Sequence, residues 1–171
     1  MNPLYMIDLI GYYGPQILLI SSIILLYKKT NYLFVYIIGF ILDTILNFIL
    51  KGIIKQPRPK GDYNIFNPLE KHSPHIMSDI YGMPSGHAQR VFYSTVFIYL
   101  VFKNTNITFL YIFISILTLI QRVKYQNHFV TQVIAGAVVG AIIAYYMFMY
   151  ADKKIVGKLL PKKEDNAKDI A

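Results

Sequence analysis

Long apolar runs separated by short polar clusters dominate the chain. A helix needs about 20 mostly apolar residues to cross the hydrocarbon core of a bilayer. Five stretches meet that description, approximately Leu4–Tyr27, Asn31–Ile54, Pro84–Phe102, Ile107–Tyr125 and His128–Tyr150. The pattern predicts an all-α protein, a polytopic membrane helix bundle of about five transmembrane helices. The first run continues too far for a signal peptide and has no small-residue cleavage site. Gly14-Pro15 is expected to kink it, which membrane helices tolerate. From Asp152 the chain turns polar and basic. Residues 1–151 therefore read as one membrane domain, and 152–171 as a flexible tail that can lie on anionic lipid. Between the second and third runs, about Lys55 to Met83, a stretch rich in Pro, Gly, Asp, Asn and His reads as loop.

This alternation puts the end of the second span, the start of the third, the end of the fourth and the start of the fifth on one membrane face. Lys51, Arg58, Pro84-Ser85-Gly86-His87, Arg122 and His128 all fall there. The expected site thus lies at helix ends on that face.

Composition agrees with the membrane reading. Apolar residues make up 55% and charged residues 15%, against about 45–50% and 25% in soluble chains. Cysteine is absent, which excludes a disulfide framework and thiolate metal sites. The net charge of +8, from 17 Lys and Arg against 9 Asp and Glu, would raise nucleic-acid binding in a soluble protein. Here the cations stand between apolar runs, as membrane-flanking charges do, so no nucleic-acid partner is expected.

Three patterns occupy the convergent face: Lys51 followed after six residues by Arg58-Pro59, then Pro84-Ser85-Gly86-His87, then Arg122 followed after five residues by His128. Their order, spacing and placement resemble the three-part signature of the type 2 phosphatidic acid phosphatase superfamily. That superfamily includes lipid phosphate phosphatases, polyprenyl-diphosphate phosphatases and vanadium haloperoxidases. The resemblance runs from about Asn47 to Gly140, and each piece alone is weak. A single cation near a membrane boundary reads first as a snorkelling anchor, and a single histidine as a satisfied interfacial one.

The resemblance implies that His128 attacks phosphorus and forms a phosphohistidine, while His87 protonates the leaving oxygen. It implies phosphate binding by Lys51, Arg58, Ser85, Gly86 and Arg122. The residue types suit that chemistry. Phosphoryl transfer depends mostly on positioning and charge stabilisation, and arginine forks grip phosphate bidentately while lysine supplies a point charge. Pro84, Ser85 and Gly86 would leave free backbone N–H groups at a helix N-terminus, which binds anions. With three cations on the phosphate, no metal and no cofactor is expected.

The sequence departs from the common pattern at Gln132, four residues after His128, where much of the superfamily has Asp. A Gln carbonyl can accept the histidine's second N–H but adds no charge. The residues around the motifs, Gly82 to Gln89 and Arg122-Val123 through Gln132-Val133, together with Asn47, look like the dolichyl-diphosphatase branch, which carries Gln there; Gly86 differs, since that branch tends to have Ser. Asp43, Asn47 and Lys51 are spaced by four and form one polar stripe on a helix. Asn47 is expected to hydrogen-bond Gln132 in support of His128; Asp43 has no evident role. Arg90, on the face of His87, either contacts a distal phosphate or anchors its helix. His72 and His75 read as solvated loop, since zinc needs three or four ligands.

Nine lysines (Lys28, Lys29, Lys103 and six in the tail) lie opposite the site. Four (Lys55, Lys60, Lys71, Lys124) share its side once Lys51, Arg58, Arg90 and Arg122 are set aside. The positive-inside rule then predicts a cytosolic tail and a site facing the lumen or exterior, and the resemblance implies a multi-pass protein of the endoplasmic reticulum or a related membrane. The function that the resemblance implies is hydrolysis of a polyprenyl (dolichyl-type) diphosphate to the monophosphate, with a lipid phosphate or diphosphate as the partner. The alternatives are a general phosphatase for phosphatidate-like monoesters, and a catalytically silent lipid-binding membrane protein. Nothing in the sequence sets the oligomeric state.

Overall fold

The computed structural model describes residues 3–66 and 80–155, and every named element among them is helical. In chain order these are α1 (Pro3–Tyr12), α2 (Gly14–Leu26), α3 (Thr30–Ile54), α4 (Gly86–Phe102), α5 (Thr105–Lys124) and α6 (Val130–Tyr150), followed by a π-helical turn, Ala151–Ile155. His72, His75 and the tail from residue 156 onward lie outside the described residues.

The first expected span is two helices. α1 and α2 meet at 65°, with Pro15 in the first turn of α2, where its missing N–H leaves no intrahelical bond unmade. Of the five expected spans, three (α3, α5, and α6 extended to Lys153) are long and apolar enough to cross a membrane, and the bent pair α1–α2 would make a fourth if taken as one span. α4 has only 17 residues, a length of about 25 Å at 1.5 Å per residue. Its first turns, Gly86-His87-Ala88-Gln89-Arg90, are polar and carry site residues into the bundle.

α4 is the central element, touching α2, α3, α5 and α6. Its closest neighbour is α6, and the reason is Gly136 and Gly140. A Cβ at Gly136 would run into the Ser85 carbonyl, and one at Gly140 into the Gln89 carbonyl. Small residues four apart let membrane helices approach to backbone distance.

α3 is apolar outside and polar inside. Ile38, Ile41, Leu42, Ile45, Phe48 and Ile49 are exposed, whereas Asp43, Asn47 and Lys51 are buried. That inversion fits a helix bathed in lipid, where polar groups must find partners within the bundle. Toward the opposite face, Tyr36, Tyr93 and Phe97 are fully buried. The Tyr93 hydroxyl donates to the Tyr36 carbonyl at 2.8 Å, and the Tyr36 and Ser94 hydroxyls meet at 2.7 Å, so both phenols are satisfied. α1 leans onto α5 and away from α3, held by an Asp8–Lys124 ion pair and by the Tyr125 hydroxyl donating to Asp8 Oδ2 at 3.0 Å.

Candidate active site

Three connecting segments are stitched together above the helix ends. α3 stops at Lys55, whose left-handed φ of 49° turns the chain. Pro57 then pairs with Tyr81, and the Gly82 N–H donates to the Gln56 carbonyl at 2.8 Å. Further along, the Asp62 and Tyr63 N–H groups donate to the carbonyls of Gln126 and Tyr125 at 3.1 and 2.8 Å. The Ser85 N–H donates to the Gln132 carbonyl at 3.0 Å. These pairings bring the ends of α3, α4, α5 and α6 around one cavity.

The cavity has a volume of about 290 Å³. That is room for a small anionic group. Lys51, Arg58, Arg90, Arg122, His87 and His128 line it, with Asp62 as the one carboxylate among the lining residues. Asp62 is already engaged: its Oδ1 accepts from Asn127 Nδ2 at 2.7 Å and lies 3.7 Å from Arg58 Nη1. Such a donor set suits an anion and offers little to a metal cation.

His128 is 3% exposed and held from both sides. Gln132 Nε2 donates to Gln56 Oε1 at 3.1 Å and to the Pro57 carbonyl at 2.8 Å. Those two acceptors fix the amide so that Oε1 turns to His128 Nδ1 at 3.2 Å and to the Phe129 N–H at 3.1 Å. An oxygen facing Nδ1 requires a proton on Nδ1, which leaves Nε2 with its lone pair. Arg58 Nη1 points at that lone pair from 3.4 Å while donating to the Asn127 carbonyl at 2.8 Å. Burial, and then the charges of Arg58, Arg122 and Lys51, hold the His128 pKa well below the ordinary imidazole value, against the Gln132 hydrogen bond, which raises it. The ring is therefore neutral at pH 7.

The cations are buried beside it. Lys51 Nζ donates to the Tyr81 carbonyl at 2.6 Å. Arg122 is 8% exposed, and its Nε and Nη1 have no hydrogen-bond partner among the described residues. A buried charged donor left unmade costs on the order of 1–3 kcal/mol or more. A phosphate oxygen would remove that cost.

His87 sits in the first turn of α4. Ser85 is its N-cap, with Oγ accepting from the Ala88 N–H at 3.5 Å. Since the Ser85 N–H is taken by Gln132 and its side chain is fully buried, Ser85 stands behind the cavity, whereas Gly86 lines it. A Cβ at Gly86 would lie 3.1 Å from Asn47 Oδ1, so a side chain there would press on Asn47.

Asn47 does not reach Gln132. Its Nδ2 donates to Gln89 Oε1 at 2.8 Å and to the Pro84 carbonyl at 3.2 Å. Gln89 Nε2 in turn donates to Asp43 Oδ1 at 2.9 Å and to the Asp43 carbonyl at 2.8 Å. The polar stripe of α3 thus braces the start of α4 rather than α6, and Asp43 has its partner in Gln89. Sequence reasoning missed Gln89, Gln56, the Asp62–Asn127 clamp and Tyr12. Gln89 carried a signal, as an amide within an apolar run. Tyr12 carried none: it arrives from α1, with its ring 6.0 Å from that of His87 and 5.8 Å from the Arg122 guanidinium.

Comparison with known proteins accords with this geometry. Dolichyldiphosphatase 1 of Rhinolophus ferrumequinum is 26% identical over 167 residues, covering 87% of this chain and 65% of that protein. Dolichyldiphosphatase 1 of Homo sapiens is 24% identical over 156 residues, 81% of this chain and 60% of that one. Dolichyldiphosphatase of Saccharomyces cerevisiae is 35% identical over 120 residues, 64% of this chain and 48% of that one. The chain therefore spans less than two thirds of the length of these curated relatives. No solved structure matches it. A family profile, that of the PAP2 superfamily, matches residues 31–155. Since that region supplies every helix end at the cavity except that of α1, the chain belongs to the PAP2 superfamily.

Proposed function

We propose that this chain is a membrane lipid phosphatase that hydrolyses a polyprenyl (dolichyl-type) diphosphate to the monophosphate and inorganic phosphate, with His128 as nucleophile and His87 as general acid. The observation that carries the reading is the orientation of His128. A neutral ring with Nδ1–H held by Gln132 presents the Nε2 lone pair to a cavity rich in cations.

The terminal phosphate sits over His128, its oxygens gripped by Lys51, Arg58 and Arg122. Nε2 attacks phosphorus and forms an N–P bond. The bond from phosphorus to the bridging oxygen breaks, and its electron pair leaves on that oxygen. The bound diphosphate offsets the charges of Arg122 and Arg90 beside His87, so the ring carries a proton in the complex; it gives that proton to the departing oxygen, and the lipid monophosphate leaves. Water then attacks phosphorus, its proton passes to His87, the N–P bond breaks with its electron pair returning to Nε2, and inorganic phosphate leaves with both histidines restored. The attacked ring gains positive charge, which the Gln132 carbonyl eases through Nδ1–H without neutralising it. Four cations line the cavity, so the substrate's charge is met without a metal ion. The lipid chain stays in the bilayer, and the cavity receives the head group. The lysine asymmetry supports a lumenal or exterior site, in the endoplasmic reticulum or a related membrane on this reading.

Phosphate release from a polyprenyl diphosphate and from phosphatidate, with chelator present throughout, tests the proposal. Wild-type protein is expected to release phosphate preferentially from the diphosphate, and His128→Ala to release none. Equal release by the two proteins, or none by either, would overturn the enzyme reading and favour a silent lipid-binding protein. Preference for phosphatidate would transfer the chain to the monoester phosphatases.

A further inference from the structure

We infer that Arg90 binds the phosphate attached to the lipid and thereby sets this site for diphosphates over monophosphates. The inference rests on the reading of the chain as a lipid phosphatase and adds a specificity-determining residue to it.

One of the four cations of the cavity stands apart from the nucleophile. Lys51, Arg58 and Arg122 are the cations that act electrostatically on His128. Arg90 acts on His87, as Arg122 and Arg58 also do, and it alone of the four is not among the cations acting on His128. A diphosphate has the same division. Its terminal phosphate must lie over the nucleophile, and its bridging oxygen must face the acid. The phosphate that carries the lipid then lies beyond the acid, on the membrane side. Arg90 is three residues past His87 on the same face of α4, about 4.5 Å deeper at 1.5 Å per residue. A lipid reaching the cavity from the bilayer presents its proximal phosphate at that depth.

Arg90 is also available. Its one hydrogen bond among the described residues runs from Nε to Thr44 Oγ1 at a long 3.4 Å, and both terminal nitrogens are uncommitted there. An anchoring arginine turns out of the bundle toward the membrane surface. This one lines the cavity instead and is only partly exposed. Asp43 on α3 is the carboxylate that acts on it. Its Oδ1 faces Gln89, so it balances the Arg90 charge without occupying the guanidinium fork. That fork faces two oxygens of one phosphate well. When the bridging bond breaks, charge accumulates on the departing monophosphate, next to Arg90. A lipid monophosphate places carbon there and gains nothing from the guanidinium.

The test compares a polyprenyl diphosphate with the monophosphate of the same chain. The ratio of their kcat/KM values is expected to fall roughly 10- to 100-fold in Arg90→Gln, the range for one charged hydrogen-bonding group, and to recover in part in Arg90→Lys. An unchanged ratio would overturn the inference, whether both activities fall together or neither moves. A binding arm keeps the test independent of turnover. In His128→Ala protein, Arg90→Gln should weaken binding of a methylene-bridged lipid bisphosphonate about tenfold more than binding of the matching lipid monophosphonate. Equal weakening, or no binding of either lipid before Arg90 is changed, would overturn it as well. If wild-type protein releases no phosphate while the bisphosphonate preference still depends on Arg90, the catalytic reading fails and the Arg90 assignment stands.

Discussion

The two histidines of the cavity are held in opposite ways. His128 is fixed at both ring nitrogens, by Gln132 at Nδ1 and Arg58 at Nε2, and its backbone N–H donates to the Arg122 carbonyl at 3.1 Å. His87 stands in the first turn of α4 with no side-chain hydrogen bond among the described residues, and its nearest ring is that of Tyr12. The braces behind it, Asn47, Gln89 and Ser85, hold the backbone of the helix start and leave the imidazole alone. This contrast matches the two proposed tasks. A nucleophile needs one lone pair aimed along one line, with one tautomer. An acid must deliver a proton to one oxygen and later take one from water, and a ring locked by hydrogen bonds would do neither well.

The strongest way to break the comparison is to remove the acid and change the leaving group. His87→Ala is expected to lower turnover of a lipid diphosphate by about 10²- to 10⁴-fold, the usual contribution of general acid catalysis. The loss should shrink to a few-fold on a nitrophenyl phosphate, whose leaving oxygen needs no proton. Equal losses on both substrates, measured by initial rates, would mean that His87 positions the substrate instead.

Removing the brace on the nucleophile comes next. Gln132→Leu should lower kcat about 10²-fold, since the tautomer is no longer held, with KM little changed. Gln132→Glu should also lose activity. A carboxylate cannot donate to Gln56 Oε1 and the Pro57 carbonyl, which now orient the amide. Higher activity in Gln132→Glu would show that charge on this residue matters more than its orientation.

The smallest effect expected is on the pH profile. Because the His128 pKa is held below its ordinary value, the neutral nucleophile persists into mild acid. The acid limb of kcat/KM should therefore fall below pH 6.5, the unperturbed imidazole value of about 6.5 serving as reference. Arg58→Gln removes the leading charge that lowers this pKa, so its acid limb should move upward toward 6.5. A limb that stays in place would assign it to another group.

Much of this site was legible because helical spacing is local. Asp43, Asn47 and Lys51 had to share a face of α3, and the alternation of runs had to bring Lys51, Arg58, His87, Arg122 and His128 to one side. The kink at Gly14-Pro15 was legible too, though its 65° angle was not. What spacing along one helix cannot supply is its rotation and depth against a neighbour. Asn47 lies equally well placed, on paper, for Gln132 of α6 or Gln89 of α4, and close packing of α4 on α6 through Gly136 and Gly140 gave it to α4.

By itself, then, the sequence determined the helical membrane class, the motif residues and the face on which they gather, because periodicity and apolar length are properties of single segments. Only the tertiary structure decided that Gln132 answers to Gln56 and Pro57, that Ser85 stands behind the cavity, that Tyr12 enters it, and that Arg90 groups with His87 rather than His128. Each of those depends on contacts between segments far apart in the chain, and such contacts are set by how closely the helix backbones can approach.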